Sequence, residues 1–152
     1  MRSVVQRVDR AEIRVGGKRF SGIGKGILVF LGIEPGDEAG DAEYLADRII
    51  HLRIFPDQQG KMNLSLIDAE GEMLVVSQFT LLADCRRGRR PSFTGAEKPE
   101  RARLLYNHFV GRAREKVKRC AEGEFQAMMS VDLVNNGPVT LILDSRRSAM
   151  ES

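Results

Sequence analysis

Apolar and polar residues alternate through SVVQRVDRAEIRV, with Val4, Val8, Ile13 and Val15 as apolar positions around a break near Asp9-Arg10. Alternation of period two marks a strand with one buried face, so this segment predicts a strand pair at the N-terminus. Gly22, Gly24 and Gly26 bracket a turn before ILVFLGI, a continuous apolar run that predicts a strand buried on both faces. GIGKG leads into that strand and not into a helix, so it lacks the geometry that cradles a dinucleotide phosphate. The period then changes. Ala42, Leu45, Ile49 and Leu52 recur at helical spacing after PGDEAGD, with Asp37 or Asp41 as candidate cap. A longer helix is predicted from Pro99, carrying the stripe Ala102, Leu105, Phe109, Ala113, Val117 and Cys120. Between the helices, EMLVVSQFTLLAD (72–84) reads as a strand that ends in polar residues, and AMMSVDLV (127–134) and VTLILD (139–144) read as two more. Many strands and only two helices predict an α+β fold, a mostly antiparallel sheet or barrel-like core with the helices packed against it.

The last two strands are separated by Asn135-Asn136-Gly137-Pro138. Asn136-Gly137 suits a two-residue hairpin turn, yet the closing bond would need an N–H from Pro138, which has none. Gly137, without a side chain, can take unusual backbone angles and approach a ligand closely. An ordinary trans Gly-Pro loop and a cis Gly-Pro bond both remain open at this level.

With 152 residues, 42% hydrophobic and 30% charged, the chain is long enough for one well-buried domain. No apolar run reaches the length of a membrane span, and charges interrupt the first twenty residues, so neither a membrane segment nor a signal peptide is expected and a cytoplasmic location follows. Two cysteines, Cys85 and Cys120, and two separated histidines, His51 and His108, give no disulfide framework and no metal-site spacing; no metal and no other cofactor is expected. Cys120 reads as core, and each histidine as a boundary residue satisfied locally. The net charge of +3 is modest, but CRRGRR sets Arg86, Arg87, Arg89 and Arg90 within five residues, with Arg146 and Arg147 near the C-terminus. Such a cluster suits a polyanion, and guanidinium binds phosphate bidentately. A solvated basic loop explains the cluster equally well.

Chemistry has few candidates. Ser77-Gln78-Phe79-Thr80 puts two hydroxyls and an amide into an apolar strand, but no nucleophile elbow surrounds Ser77 and nothing pairs it with either histidine. A hydrolase built this way suits an already activated ester, where positioning and backbone oxyanion donors supply most of the rate.

SQFTL (77–81) and NNGPVT (135–140) together resemble the two signature motifs of the D-aminoacyl-tRNA deacylases, proofreading enzymes that free tRNA from D-amino acids. MRSVVQRV, GKMNLSL (60–66), GRRPSF (88–93), AMMSVDLV and LILDS stand in the order and spacing of that family, so the resemblance spans residues 1–145 and leaves 146–152 as a tail. It implies a homodimer with active sites at the subunit interface and no metal. It implies a cis Gly137-Pro138 peptide whose carbonyl oxygens enter the other subunit's pocket, hold the substrate amino group and leave room for hydrogen only on one face of the α-carbon. Arg7 would brace that motif and Met129 border the pocket. Ser77, Gln78, Phe79 and Thr80 would form the opposite, catalytic wall, with backbone N–H groups around Phe79 facing the oxyanion. Water activated with help from the 2′-hydroxyl of the terminal adenosine would leave Thr80 a positioning role, although a covalent Thr80 is also permitted. Glycyl-tRNA would be cleaved as well, since exclusion of a side chain is indifferent to its absence on the other face. A noncatalytic RNA-binding module would use the arginines but leave both motifs idle; a small-molecule D-amino acid esterase would use the pocket but not the arginines.

Overall fold

The computed structural model describes residues 1–146, so Arg147 and the rest of the 146–152 tail beyond Arg146 lie outside the described residues. Strand β1 runs Arg2–Val15, a single element where the alternation predicted a pair. The break near Asp9 is a bulge. Val8 pairs with Asn135 and Arg10 with Val134, leaving Asp9 as an extra residue. One inserted residue reverses the facing of every later side chain, so Val8, Ala11 and Ile13 all point into one core despite their change of parity. The turn out of β1 lies at Gly16-Gly17 and returns as β2, Lys18–Ile23.

β3, Gly26–Gly32, is buried on both faces as its apolar run predicts. It pairs antiparallel with the first half of β1 and parallel with β6, Glu72–Ser77. Gly26 is required there because a Cβ would sit 1.8 Å from the Glu72 carbonyl oxygen. β6 in turn pairs parallel with β7, Cys120–Glu122. The sheet order is β2-β1-β3-β6-β7, and the Ser21 hydroxyl on β2 donates to the Glu122 carbonyl on β7 at 2.7 Å, so the two edges meet and the sheet is nearly a barrel. Two parallel ladders make the sheet mixed, with antiparallel pairing on all sides of β1. β4, Phe55–Pro56, and β5, Met62–Leu64, form a separate short ladder.

Alternate residues of the central strands serve two cores. Leu28, Leu74 and Val76 join Val8, Ala11, Ile13 and Ile23 inside the barrel. Ile27, Val29, Leu31, Met73 and Val75 face outward onto the helices. α1, Ala39–Ile50, buries Ala42, Leu45, Ala46, Ile49 and Ile50 there. Its N-cap is Glu38, whereas Asp41 lies at the third helical position and accepts the Glu38 N–H at 2.9 Å. Asp37 is buried and takes the Met1 ammonium at 2.7 Å. α2, Pro99–Arg114, starts with Pro99 in its first turn, where a missing N–H costs nothing. Its stripe ends at Ala113, beyond which the chain turns into β7 and Cys120 joins the same core from a strand. Fully buried Phe109 and Tyr106 are each worth about 1.5–3 kcal/mol of apolar burial, and the Tyr106 hydroxyl is satisfied by the Val75 carbonyl at 2.9 Å. No helix among the described residues is long and apolar enough to cross a membrane.

Two further expectations are corrected by the backbone. The predicted strand 72–84 stops at Ser77, and Phe79–Leu82 forms a 3-10 turn. The two runs flanking NNGPVT are one strand, β8, Met129–Asp144, paired antiparallel with β1 along nearly its whole length. They are collinear because β1 is long enough to pair with both.

Candidate functional site

Between Val8↔Asn135 and Gln6↔Thr140 the register leaves Asn136, Gly137, Pro138 and Val139 opposite Arg7 alone, so this stretch leaves the ladder as a wide bulge. The Asn135 amide closes its mouth, donating to the Arg7 and Val139 carbonyls at 3.0 Å each. Asn136 donates to Asp9 from the side, and Gln6 donates to Thr140 at 3.2 Å. Arg7 sits under the bulge. Its Nε donates to the Asn136 carbonyl at 3.2 Å and its Nη1 to the Ile54 carbonyl at 2.5 Å. Gly137 has φ +111°, and a Cβ there would lie 2.2 Å from the pinned Arg7 guanidinium, so only glycine fits.

The Gly137-Pro138 peptide is trans, and among the described residues no peptide bond is cis. The cis expectation is therefore overturned. The excursion from the ladder is accommodated by the positive φ of Gly137, and trans is favoured by about 0.5–1 kcal/mol in an X-Pro bond that nothing forces otherwise. Both residues are exposed on their own chain.

The second motif lies elsewhere. Ser77, Gln78 and Phe79 line a cavity of about 670 Å³ together with Met129, and Phe93, Lys98 and Phe125 contribute to its remaining walls. Gly137, Pro138 and Arg7 do not line it. β6 delivers Ser77 to the cavity at the end of the parallel β3–β6 ladder, where the Gln78 N–H still donates to the Leu31 carbonyl at 2.8 Å. The chain then tightens into the 3-10 turn, whose first N–H groups, those of Phe79 and Thr80, have no hydrogen-bond partner among the described residues. Thr80 lies outside the lining, exposed, and its hydroxyl accepts from the Gln78 side-chain amide.

Residues 125–129 form the opposite wall, and Gln126 there holds φ +64°, a conformation that side chains rarely adopt. Phe93 lies in GRRPSF, which carries part of the family resemblance but assigns it no role, while Lys98, Phe125 and Gln126 were not singled out from the sequence, because they sit in coil where no periodicity marks them. An isolated Phe in a polar stretch, as in EGEFQ, marks Phe125. Neither histidine lines the cavity. His51 Nδ1 lies 2.7 Å from the Asp47 carbonyl, a local contact, whereas His108 Nε2 lies 2.8 Å from Glu43 Oε1 on α1, an exposed contact between the two helices and not the local one expected. Glu97, the carboxylate in the lining, accepts the Lys98 N–H at 2.7 Å and faces Arg101 at 3.4 Å. Cys120 is buried, which pushes its thiol up to about 11 and keeps it protonated. The cavity thus offers apolar surface, an amide, a hydroxyl and backbone donors, with no evident general base.

The four arginines of CRRGRR occupy an exposed loop whose base is the bridge between Asp84 and Ser92, with backbone bonds of 2.7 and 3.0 Å. Arg86 grips Asp84 through two bonds of 2.9 and 2.7 Å, and that contact holds the Asp84 carboxyl well below the usual carboxylate range. Arg87, Arg89 and Arg90 have no ionic partner among the described residues. Arg146, by contrast, is engaged by Glu34 at 3.0 Å and by the Pro35 carbonyl.

A family model described as D-Tyr-tRNA(Tyr) deacylase matches residues 4–144. The curated D-aminoacyl-tRNA deacylase of Syntrophus aciditrophicus is 61% identical over 147 residues, covering 97% of this chain and 99% of that one. That of Thermosipho melanesiensis is 54% identical over 148 residues, again with 97% and 99% covered. Among solved structures, the c-Myc DNA unwinding element binding protein superposes with TM-score 0.90 at 41% identity, covering 95% of this chain and 98% of that chain. A probable eukaryotic D-amino acid tRNA deacylase shares the fold at TM-score 0.80 and 17% identity, over 93% and 97%. Matched across nearly its whole length, with both motifs inside the match, the chain belongs to the D-Tyr-tRNA(Tyr) deacylase family.

Proposed function

We propose that this chain is a carboxylic ester hydrolase that removes D-amino acids from tRNA. The observation that carries the reading is the cavity beside Ser77–Phe79, which has backbone donors and apolar walls but no histidine and no free carboxylate. An aminoacyl ester is already activated, so the site needs to orient it and stabilise charge on its carbonyl oxygen, and preorganised N–H groups are the economical way to do so. The N–H groups of Phe79 and Thr80 are the donors we assign to the oxyanion. Water attacks the carbonyl carbon, the 2′-hydroxyl of the terminal adenosine assists its deprotonation, and the ester oxygen leaves on the tRNA.

Selection against L-amino acids is assigned to the Gly137-Pro138 bulge of a second subunit. In its own chain the bulge is exposed and faces no cavity, and β8 carries apolar residues on its outer side, with Ile142 76% exposed. A two-fold dimer supplies both needs, covering that face and bringing one subunit's bulge to the other's cavity. Arg7 holds the bulge in register and Met129 borders the cavity it closes. The arginines of the 86–90 loop take tRNA phosphates. Because selection excludes a side chain without requiring one, glycyl-tRNA is a substrate.

Matched D-tyrosyl-, L-tyrosyl- and glycyl-tRNA test the proposal. Rapid release from the D- and glycyl esters with the L-ester spared is expected. Equal rates on D and L remove the chiral role of the bulge; no turnover leaves an RNA-binding module; and equal use of simple D-amino acid esters indicates a small-molecule esterase.

A further inference from the structure

Phe79 and Phe93 are 57% and 42% exposed, yet they pack edge to face with ring centroids 5.4 Å apart and planes at 69°. Two large rings that remain open to solvent while fixing each other form a rigid apolar surface at the cavity rim, since both also line the cavity. The residue that precedes Phe93 is Ser92, which closes the arginine loop against Asp84. Arg87, Arg89 and Arg90 thus emanate from a loop anchored next to the aromatic pair, and they have no ionic partner among the described residues. Adjacent aromatic faces and free guanidinium groups are the combination that holds unpaired nucleotides, the rings by stacking and the cations by phosphate contact.

We propose that the Phe79–Phe93 pair is a stacking platform for an unpaired base of the tRNA acceptor end, upstream of the terminal adenosine whose ester enters the cavity. The inference rests on the functional reading above and adds a subsite to it. The charge beside the pair decides the occupant: a purely apolar partner would gain nothing from three unpaired arginines at its edge, whereas a single-stranded ribonucleotide satisfies both surfaces.

The platform is tested at Phe93, which lines the cavity rim, by comparing the full tRNA ester with a minimal ester. With D-aminoacyl-tRNA, Phe93→Leu is expected to raise KM by between about 5- and 150-fold, the worth of one base on an aromatic ring, beyond any change it causes on D-aminoacyl-adenosine. Phe93→Tyr keeps the ring and retains the wild-type KM. D-aminoacyl-adenosine, which lacks the upstream nucleotides, reports separately what each substitution does to the cavity wall itself. An equal defect on that minimal ester, an unchanged KM on tRNA, or conversion of Phe93→Leu to a different oligomeric state overturns the proposal, the last because the pair then belongs to a subunit contact. A second readout does not depend on turnover. The chain has no tryptophan, so Phe93→Trp introduces a single indole, and uncharged RNA ending in CCA should quench its fluorescence. Unquenched indole in a complex that sedimentation shows to have formed overturns the platform. A wild-type chain inert on D-aminoacyl-tRNA defeats the functional reading instead and leaves the quenching result standing.

Discussion

Thr80 is exposed, outside the cavity lining, and hydrogen-bonded to the Gln78 side chain. A threonine nucleophile needs an activating base, and among the described residues the Thr80 hydroxyl meets only the Gln78 amide. Thr80→Ala should therefore retain measurable deacylation, whereas tRNA ending in 2′-deoxyadenosine and acylated on the 3′ oxygen should be a very poor substrate. A trapped acyl-enzyme on Thr80, or full activity on the deoxy ester, would reverse the assignment. At this scale the residue types were legible but their states were not. That Pro138 lacks the N–H a hairpin would need is a property of the residue, and it correctly ruled out a two-residue turn. The positive φ of Gly137 is set against Arg7, 130 positions earlier, which is pinned by carbonyls of Asn136 and Ile54. No local rule contains that contact.

Elements were legible where one physical signal dominated. β3 and both helices follow from apolar run and period, because each buries a continuous face whichever neighbours it meets. The misread boundaries share a cause. Bulges at Asp9 and at 136–139 look like chain reversals in sequence, since both break the alternation, but a long partner strand lets the chain resume its direction. The strand from Glu72 ends at Ser77 because the ladder with β3 ends there at Leu31, not because the residues lose strand preference. The arginine loop was visible as composition, and its anchoring at Asp84 and Ser92 was not. Its role is measurable as a salt dependence. Each phosphate contact adds about −0.7 to −0.9 to the slope of log affinity against log salt. Arg89→Ala with Arg90→Ala should flatten the slope for tRNA by two contacts' worth, and an unchanged slope with unchanged affinity would leave the loop a solvated cluster.

For the molecule as a whole, the two motifs sit on different surfaces of one chain: Ser77–Phe79 on a cavity, Gly137-Pro138 on an exposed bulge outside it. If a dimer joins them across subunits, two inactive variants should restore each other. Gly137→Ala, which strains φ and meets the Arg7 guanidinium, spoils the bulge, and Ala127→Trp fills the cavity. Each alone should lose activity. Co-expressed, they should recover about a quarter of the wild-type sites, because half the dimers are mixed and one of the two sites in each is intact. No recovery in demonstrated mixed dimers would confine the site to one chain. What the sequence by itself determined is the local inventory: an α+β order, two helices with their buried stripes, a central strand buried on both faces, and the two motifs with the basic loop. Each depends on neighbours a few residues away, where period and side-chain chemistry act directly. Only the tertiary structure decided that β1 pairs on both sides, that one sheet carries two cores, that the proline motif is a bulge within a single strand, and that Phe93 and Phe125 meet Ser77 around a cavity. Those outcomes rest on contacts between distant residues, and their free energy comes from burial and hydrogen bonding that exist only once the chain has closed on itself.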